Sequence, residues 1–310
     1  MYVVTGVSGH VGSAVAELLL EAVPAEQLIF TSRDEAALER WAERGVDVRV
    51  ADFDDVAATT EAFRGGDALL LISTMLVGPV RRRQHANAIE VARAAGITRI
   101  VYTSYLGTDD PANQALVTED HRFTEQAIFD SGLTWNIMRN SQYAEAMAEQ
   151  QAAMAITTGQ SIGNTGDGAV SFVSRDDVAA VAAALLLGRG EPNTAYDVTG
   201  PEALTYREIG ELIAEISGRP IEIVDLTDEQ MYAMWDAAGV PRQSTGDFSA
   251  SPVPWCSDDM VSFGANIRAG NLARVTDAVP ALTGRPGTRM RDLMVRASAA
   301  WPAPPDGAVP

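Results

Sequence analysis

The stretch Val3-Val4-Thr5-Gly6-Val7-Ser8-Gly9-His10-Val11-Gly12 decides how the rest of this chain reads. Two β-branched residues run into a turn with glycine at every third position. Val11, Val15, Leu18 and Leu19 then recur on one face of a helical pattern. A strand, a glycine turn and a helix in that order let a backbone approach a dinucleotide pyrophosphate. The helix start offers free N–H groups and the positive end of its dipole. The glycine spacing also occurs in turns that serve packing alone. Here the flanking strand and helix make Gly6, Ser8, Gly9, His10, Val11 and Gly12 the expected phosphate end of a cofactor site.

Outward from that turn, short apolar runs alternate with amphipathic ones. Residues 2–5, 28–31, 46–50, 68–73, 99–104 and 134–139 read as strands covered on both faces. Residues 10–22, 35–44, 55–63, 79–95 and 118–131 read as helices, several ended by glycine. Strict alternation predicts an α/β fold, a Rossmann doubly wound parallel sheet. Beyond residue 141 the regularity weakens. Helices are expected at 143–155, 176–187, 205–217 and 227–238, strands at 194–199 and 221–225, turns at 159–168 and an irregular loop at 241–255. The expected division is a dinucleotide-binding domain over 1–140, with 170–200 returning to it. Residues 141–169 and 201–300 form a smaller, mostly helical substrate lobe, and 301–310 a disordered tail.

Composition narrows the function classes. With 310 residues, 46% hydrophobic and 21% charged, the chain can bury a large core and an added lobe. A net charge of −19 disfavours nucleic acid and anionic membranes, because both need a cationic face. One cysteine, Cys256, permits no intrachain disulfide, which fits a reducing cytoplasm. The strand-like start at Tyr2 leaves no room for a signal peptide, and no apolar run suffices to span a bilayer. His10, His85 and His121 lie too far apart for a metal-site spacing, so no metal is expected. Monomer and homodimer fit equally well.

The end of the second strand distinguishes the two nicotinamide cofactors. An NAD site places an acid about 20 residues past the turn, on the ribose diol. Here Ser32 and Arg33 stand there, Arg33 being 21 residues after Gly12, and Asp34 comes one step late. The Arg fork and the Ser hydroxyl suit a 2′-phosphate, so NADP(H) is expected. Asp52 and Phe53 are expected to hold the adenine, although Asp52 and Asp54 are equally suited to capping the next helix.

Together with the turn, several stretches resemble the NmrA-like atypical short-chain dehydrogenase/reductase family, in its bacterial quinone oxidoreductase and triphenylmethane reductase branch. They include Leu69-Leu70-Leu71-Ile72-Ser73, Gln84-His85-Ala86-Asn87, Val101-Tyr102-Thr103-Ser104, Asp130-Ser131-Gly132-Leu133 and Arg139-Asn140. Arg175-Asp176-Asp177-Val178-Ala179 and Leu282-Thr283-Gly284-Arg285-Pro286 extend the match almost to the last helix. The resemblance implies an NADP-binding domain, a helical lobe and a substrate in the cleft between them. It also implies that many members lack the Tyr-x-x-x-Lys acid and that some are redox sensors without turnover. This chain cannot build that pair, because all 23 residues counted as Lys or Arg are Arg. A GC-rich coding sequence accounts for that bias. Relatives often carry Lys at the position of Gln126, so the resemblance implies a lost ribose contact there, which an amide can partly replace.

Ligands of an open α/β sheet lie beyond the carboxyl ends of its strands. The loops 6–12, 73–79, 103–108 and 140–143 meet there. Ser73, Thr74 and Met75 are expected along the cofactor. Thr103, Ser104 and Tyr105 are expected beside the nicotinamide or substrate, with Asn140, Ser141 and Tyr143 on the far side. Tyr105 is the first candidate for a donor to an acceptor oxygen, or else an aromatic wall. His121 and Tyr143 follow, although a lone helical His is more often a structural hydrogen-bonder. His85 is expected only to pack under its helix. Arg81, Arg82 and Arg83 serve either an anionic ligand or surface ion pairs. The stretch 232–255, with Met231, Met234, Trp235 and Trp255 in and beside it, reads as a lid for flat substrates or as plain lobe core.

The function expected from all this is an NADPH-dependent reductase that passes hydride to a small conjugated or aromatic electrophile. Quinones, enones and dyes need little acid, because charge delocalises in the product. A non-catalytic NADP(H)-binding sensor that regulates a protein partner is the second reading. An alcohol dehydrogenase or isomerase is the third, since carbonyl–alcohol exchange needs a proton donor at the oxygen.

Overall fold

The computed structural model describes residues 1–244 and 246–302. Seven parallel strands form one sheet in the order β3-β2-β1-β4-β5-β6-β9. They are β1 (Tyr2–Val4), β2 (Leu28–Ser32), β3 (Asp47–Val50), β4 (Ala68–Leu71), β5 (Arg99–Tyr105), β6 (Thr134–Asn140) and β9 (Thr194–Val198). The order reverses between β1 and β4, and a crevice opens beyond their carboxyl ends.

The alternation of side chains along these strands fixes which helices cover which face. Val4, Phe30, Leu70, Val101 and Met138 face α1 (His10–Ala22), α7 (Arg175–Leu186) and α11 (Ala278–Thr283). Val3, Ile29, Leu69, Leu71, Ile100, Tyr102 and Ile137 face α3 (Val56–Phe63), α4 (Pro79–Ala94) and α5 (Leu116–Asp130). Each fully buried Leu or Ile contributes roughly 1.5–3 kcal/mol.

A third cluster builds the remainder. Tyr105, Leu106, Met147, Phe172, Ile209, Ile213, Ile267 and Met294 pack together. They come from β5, the stretch after β6, α8 (Tyr206–Ser217), α10 (Ser257–Arg268) and α12 (Met290–Ala297). Two small sheets brace this part: β8 (Ala169–Val170) with β10 (Leu204–Thr205), and β7 (Gln160–Gly163) with β11 (Glu222–Asp225).

The structure departs from expectation in four places. The helix expected at 35–44 is a tight turn over Ala36–Leu38 followed by the single-turn α2 (Glu39–Ala42). Asp34 takes the amides of Ala36 and Ala37, and buried Trp41 packs edge-on against Phe30 at 5.4 Å, which pins a short segment. The helix expected at 143–155 starts as a wide π turn at Ala146–Gln151. It becomes α6 (Ala152–Thr158) only afterwards and ends at Gly159. The turn-rich 159–168 contains β7. The tail expected from 301 is tied down at its first residue, where the Trp301 indole N–H donates to the Ala148 carbonyl at 2.7 Å. Residues 303–310 of that expected tail lie outside the described residues. Among the described residues no helix is long and apolar enough to cross a membrane.

Candidate active site

The glycine turn is held by its neighbours. Thr5 Oγ1 donates to the Leu70 carbonyl at 3.0 Å and accepts from the Ile72 amide at 2.9 Å, locking the ends of β1 and β4 together. Gly6 has φ +66°, a left-handed conformation that costs other residues roughly 1–2 kcal/mol. A Cβ on Gly12 would stand 2.2 Å from the Gly6 carbonyl oxygen, so only glycine lets α1 start this close to the turn. Helix α1 has no side-chain cap and no acid in its first turn. Its first amides therefore remain available to an anion.

A cavity of about 290 Å³ lies beyond these strand ends. Gly6, Ser8, Gly9, Ser32, Arg33, Asp52, Phe53, Ser73, Thr74 and Met75 of the expected cofactor residues line it, joined by Gln84. Ser32 donates to Ser8 at 3.0 Å and accepts from the Asp34 amide. The Asp34 carboxylate is spent on the amides that follow, and exposed Arg33 forms no ion pair among the described residues. The donor set fits a phosphate at the ribose better than a diol. Asp55, not Asp52 or Asp54, caps α3 by accepting from Ala58. Asp54 instead holds Gln84 and Arg83, and those hydrogen bonds lower its pKa.

The other expected cofactor residues lie outside this lining. His10 is exposed at the start of α1, where Val11 and Gly12 are buried. Thr103 Oγ1 accepts from the Ser73 amide at 2.9 Å and so supports the wall from behind. Ser104 donates to Glu125 at 2.5 Å, within a buried group where Glu125 also takes Thr108 and Arg139. Both polar atoms of the Asn140 side chain are buried without a partner among the described residues, and Ser141 is buried beside Ser171. Gln126, the position at which the resemblance implied a ribose contact, is exposed on the outer side of α5 and donates to Asp130. The inward pair four residues apart is His121 and Glu125.

Tyr105 and His121 are brought together; Tyr143 is placed elsewhere. The Tyr105 and His121 rings stack with centroids 6.2 Å apart, and Phe263 of α10 meets Tyr105 edge-on at 5.6 Å. The Tyr105 hydroxyl is buried with no hydrogen bond among the described residues. Burial pushes its pKa well up, against a smaller lowering by the Gln142 and Asn266 side chains. Tyr143 packs on the α1/α7 side with the Arg175 guanidinium 5.9 Å from its ring.

Behind this pair lie groups that sequence reasoning passed over. His85, expected only to pack, accepts from the Thr74 amide at 3.0 Å through Nε2, and its Nδ1 is 2.9 Å from Thr124 Oγ1. Tyr102 Oη is 2.7 Å from His121 Nδ1 and 3.4 Å from His85 Nδ1. Burial and the Arg81 cation lower the His85 pKa to about 3 and hold His121 well below its ordinary value. Burial raises that of Tyr102. Arg81 donates to the carbonyls of Thr74 and Met75, clamping the wall loop. Arg82 pairs with Asp120 and Glu119, and Arg83 with Asp54, so this Arg run meets protein partners. Asp259 of α10 has one buried oxygen without a partner, and burial raises its pKa to about 6. One signal was readable: a Tyr in a strand buried on both faces needs a partner for its hydroxyl.

The stretch 232–255 is neither free loop nor plain core. It begins inside α9 (Asp228–Ala237), which carries Tyr232 and Trp235; Trp235 and Trp255 meet edge-on at 4.9 Å, and Arg242 covers Tyr232 at 4.0 Å. A Cβ on Gly246 would touch Val80, which puts this stretch against the start of α4, beside the loop of 76% exposed Met75.

Residues 6–188 match the model of the NAD(P)H-binding family. Quinone oxidoreductase 2 of Escherichia coli is 34% identical over 78% of this chain and 83% of that protein. The structure of an Escherichia coli NADPH-dependent quinone oxidoreductase complexed with NADPH aligns with a TM-score of 0.86 at 30% identity, covering 96% of this chain and 99% of that one. Citrobacter sp. triphenylmethane reductase complexed with NADP(H) aligns at 0.84 and 26% identity over the same shares. The crevice at the β1/β4 reversal is thus one shared with cofactor-bound relatives, and the chain belongs to the NAD(P)H-binding family of NmrA-like oxidoreductases, in its quinone oxidoreductase and triphenylmethane reductase branch.

Proposed function

We propose that this protein is an NADPH-dependent reductase of small conjugated or aromatic electrophiles, with quinones and dyes foremost. One observation carries the reading: the two candidate donors, the stacked and buried Tyr105 and His121, are held neutral, and the chain has no Lys to tune an acid. Such a site suits acceptors whose product spreads negative charge and takes its proton from water. It is poorly suited to carbonyl–alcohol exchange.

When bound, NADPH supplies the hydride. The amides at the start of α1 hold the pyrophosphate, with Gly6 and Gly9 allowing close approach. Ser8, Ser32 and Arg33 receive the 2′-phosphate, and Asp52 and Phe53 border the adenine. Ser73, Thr74 and Met75 form the wall that leads inward, where the Tyr105 O–H meets the oxygen on which charge develops. Catalysis rests on orientation and exclusion of water, with the Trp235–Trp255 stretch covering a flat substrate. We assign cofactor binding to 1–140 with 170–200, and the substrate lobe to 141–169 and 201–300. The single buried thiol of Cys256 supports a cytoplasmic setting, and a monomer or homodimer suffices, because the described chain supplies every group named.

The test is NADPH oxidation by purified protein with quinones, enones, cationic dyes and aromatic ketones. Turnover on quinones or dyes supports the reductase. NADPH binding without turnover on any acceptor sinks it in favour of a sensor.

A further inference from the structure

The protons of the buried His85–Tyr102–His121 group can be placed one by one, starting from a group with no choice. The Thr74 amide N–H can only donate, so His85 Nε2 accepts from it. The His85 ring is neutral, because burial holds its pKa near 3, so its proton sits on Nδ1. That N–H donates to Thr124 Oγ1 at 2.9 Å and leans toward Tyr102 Oη at 3.4 Å. Thr124 in turn gives its own proton to the Asp120 carbonyl at 2.9 Å. Tyr102 Oη therefore faces one N–H, from His85, the Thr124 hydroxyl, whose proton is already given away, and, nearest of the two ring nitrogens, His121 Nδ1 at 2.7 Å. Its proton belongs to His121. The opposite arrangement, with His121 Nδ1–H donating to Tyr102, would turn the phenol proton from the nitrogen 2.7 Å away and toward Thr124 Oγ1, which already accepts from His85.

It follows that a neutral His121 carries its single proton on Nε2. That nitrogen makes no hydrogen bond among the described residues, and its ring lies against Tyr105 at the junction of sheet and lobe. We propose that Tyr102 is a positioning residue that holds His121 as the Nε2–H tautomer, so that His121 presents this N–H to the hydride acceptor beside the Tyr105 hydroxyl. The proposal rests on the reductase reading for the identity of that acceptor. No proton need leave His121: the N–H stabilises charge arriving on the acceptor oxygen, and water protonates the product after release. A neutral imidazole suits this role, since it donates without first being charged.

Because the sequence begins at Thr74, a residue of the cofactor wall, the donor and the cofactor loop are tied by one run of hydrogen bonds. His85 and His121 should thus be opposite tautomers, His85 protonated at Nδ1 and His121 at Nε2.

The experiment is long-range ¹H–¹⁵N correlation of the imidazoles in the full ¹⁵N-labelled chain at neutral pH, with His121→Gln assigning the His121 signals. Kinetics of Tyr102→Phe, His121→Gln and His121→Ala follow, with 1,4-benzoquinone as acceptor. We expect opposite tautomers in the wild type and loss of the unique Nε2–H form in Tyr102→Phe. That variant should lose roughly tenfold in kcat, about the net value of one hydrogen bond, with KM for NADPH unchanged. His121→Gln, which keeps a donor N–H, should retain more activity than His121→Ala. A His121 Nδ1–H tautomer in the wild type overturns the proposal, and so does Tyr102→Phe with an unchanged tautomer and kcat. The tautomer spectrum needs no turnover. Failure of the wild type on every acceptor therefore overturns the reductase reading, whereas a wrong tautomer overturns the Tyr102 assignment alone.

Discussion

Tyr105 and His121 stack with ring planes 25° apart, one ring from the sheet and the other from the helix that covers it. The tyrosine hydroxyl at this junction is buried and unpaired among the described residues. An unmade buried hydrogen bond is retained at a cost of about 1–3 kcal/mol, which a ligand oxygen can recover on binding.

Tyr105→Phe should therefore lower kcat on quinones about tenfold while the protein melts no lower than the wild type. Calorimetry and steady-state rates on the same samples decide it. Unchanged kcat with a lowered melting temperature would make Tyr105 a packing residue only.

Arg33→Ala should weaken NADPH binding by about 1.5–3 kcal/mol, the scale of a hydrogen bond to a charged group, and leave NADH binding nearly unchanged. Titration calorimetry with both cofactors checks it. Equal losses for the two would remove Arg33 from the 2′-phosphate.

Gly12→Ala puts a methyl 2.2 Å from a main-chain oxygen, which no side-chain rotation relieves. It should cost on the order of 1–3 kcal/mol of stability and most NADPH binding. Wild-type binding in the alanine variant would show that α1 can slide along the turn.

The pH dependence follows from Asp259. Burial raises its pKa to about 6, above the ordinary 3.8, while the Arg81 cation opposes that rise. Between those two values the folded chain binds more protons than the unfolded one. Its contribution to stability is therefore lost as pH rises from about 4 to about 6, and is flat above. Asp259→Asn should raise the melting temperature at pH 7.5, with the gain shrinking toward pH 4. A gain independent of pH would show that the carboxyl does not titrate in this window.

The glycine turn, α1 and all seven of the sheet strands were legible because each writes its reason locally: glycine spacing, an apolar helix face, short β-branched runs. Arg33 was legible for the same reason, at a fixed offset from the turn. Tyr102 and its histidines were not. His85 and His121 stand on different helices, and only α4 lying beside α5 under β5 brings both rings to one hydroxyl. Asp259 was invisible for a related reason: an acid in the first turn of a helix looks solvated until a core closes over it. Gln126 misled because the resemblance marked its position, while the helix turns that position outward and His121 and Glu125 inward.

The first donor to His85 belongs to the main chain, at Thr74. An alanine scan of the wall loop would walk past it, since every residue but one carries the same N–H. Position 74 is thus free to drift in size and polarity while the proton order behind it stays intact. Proline alone would erase that order, and in a chain with 15 prolines none stands there.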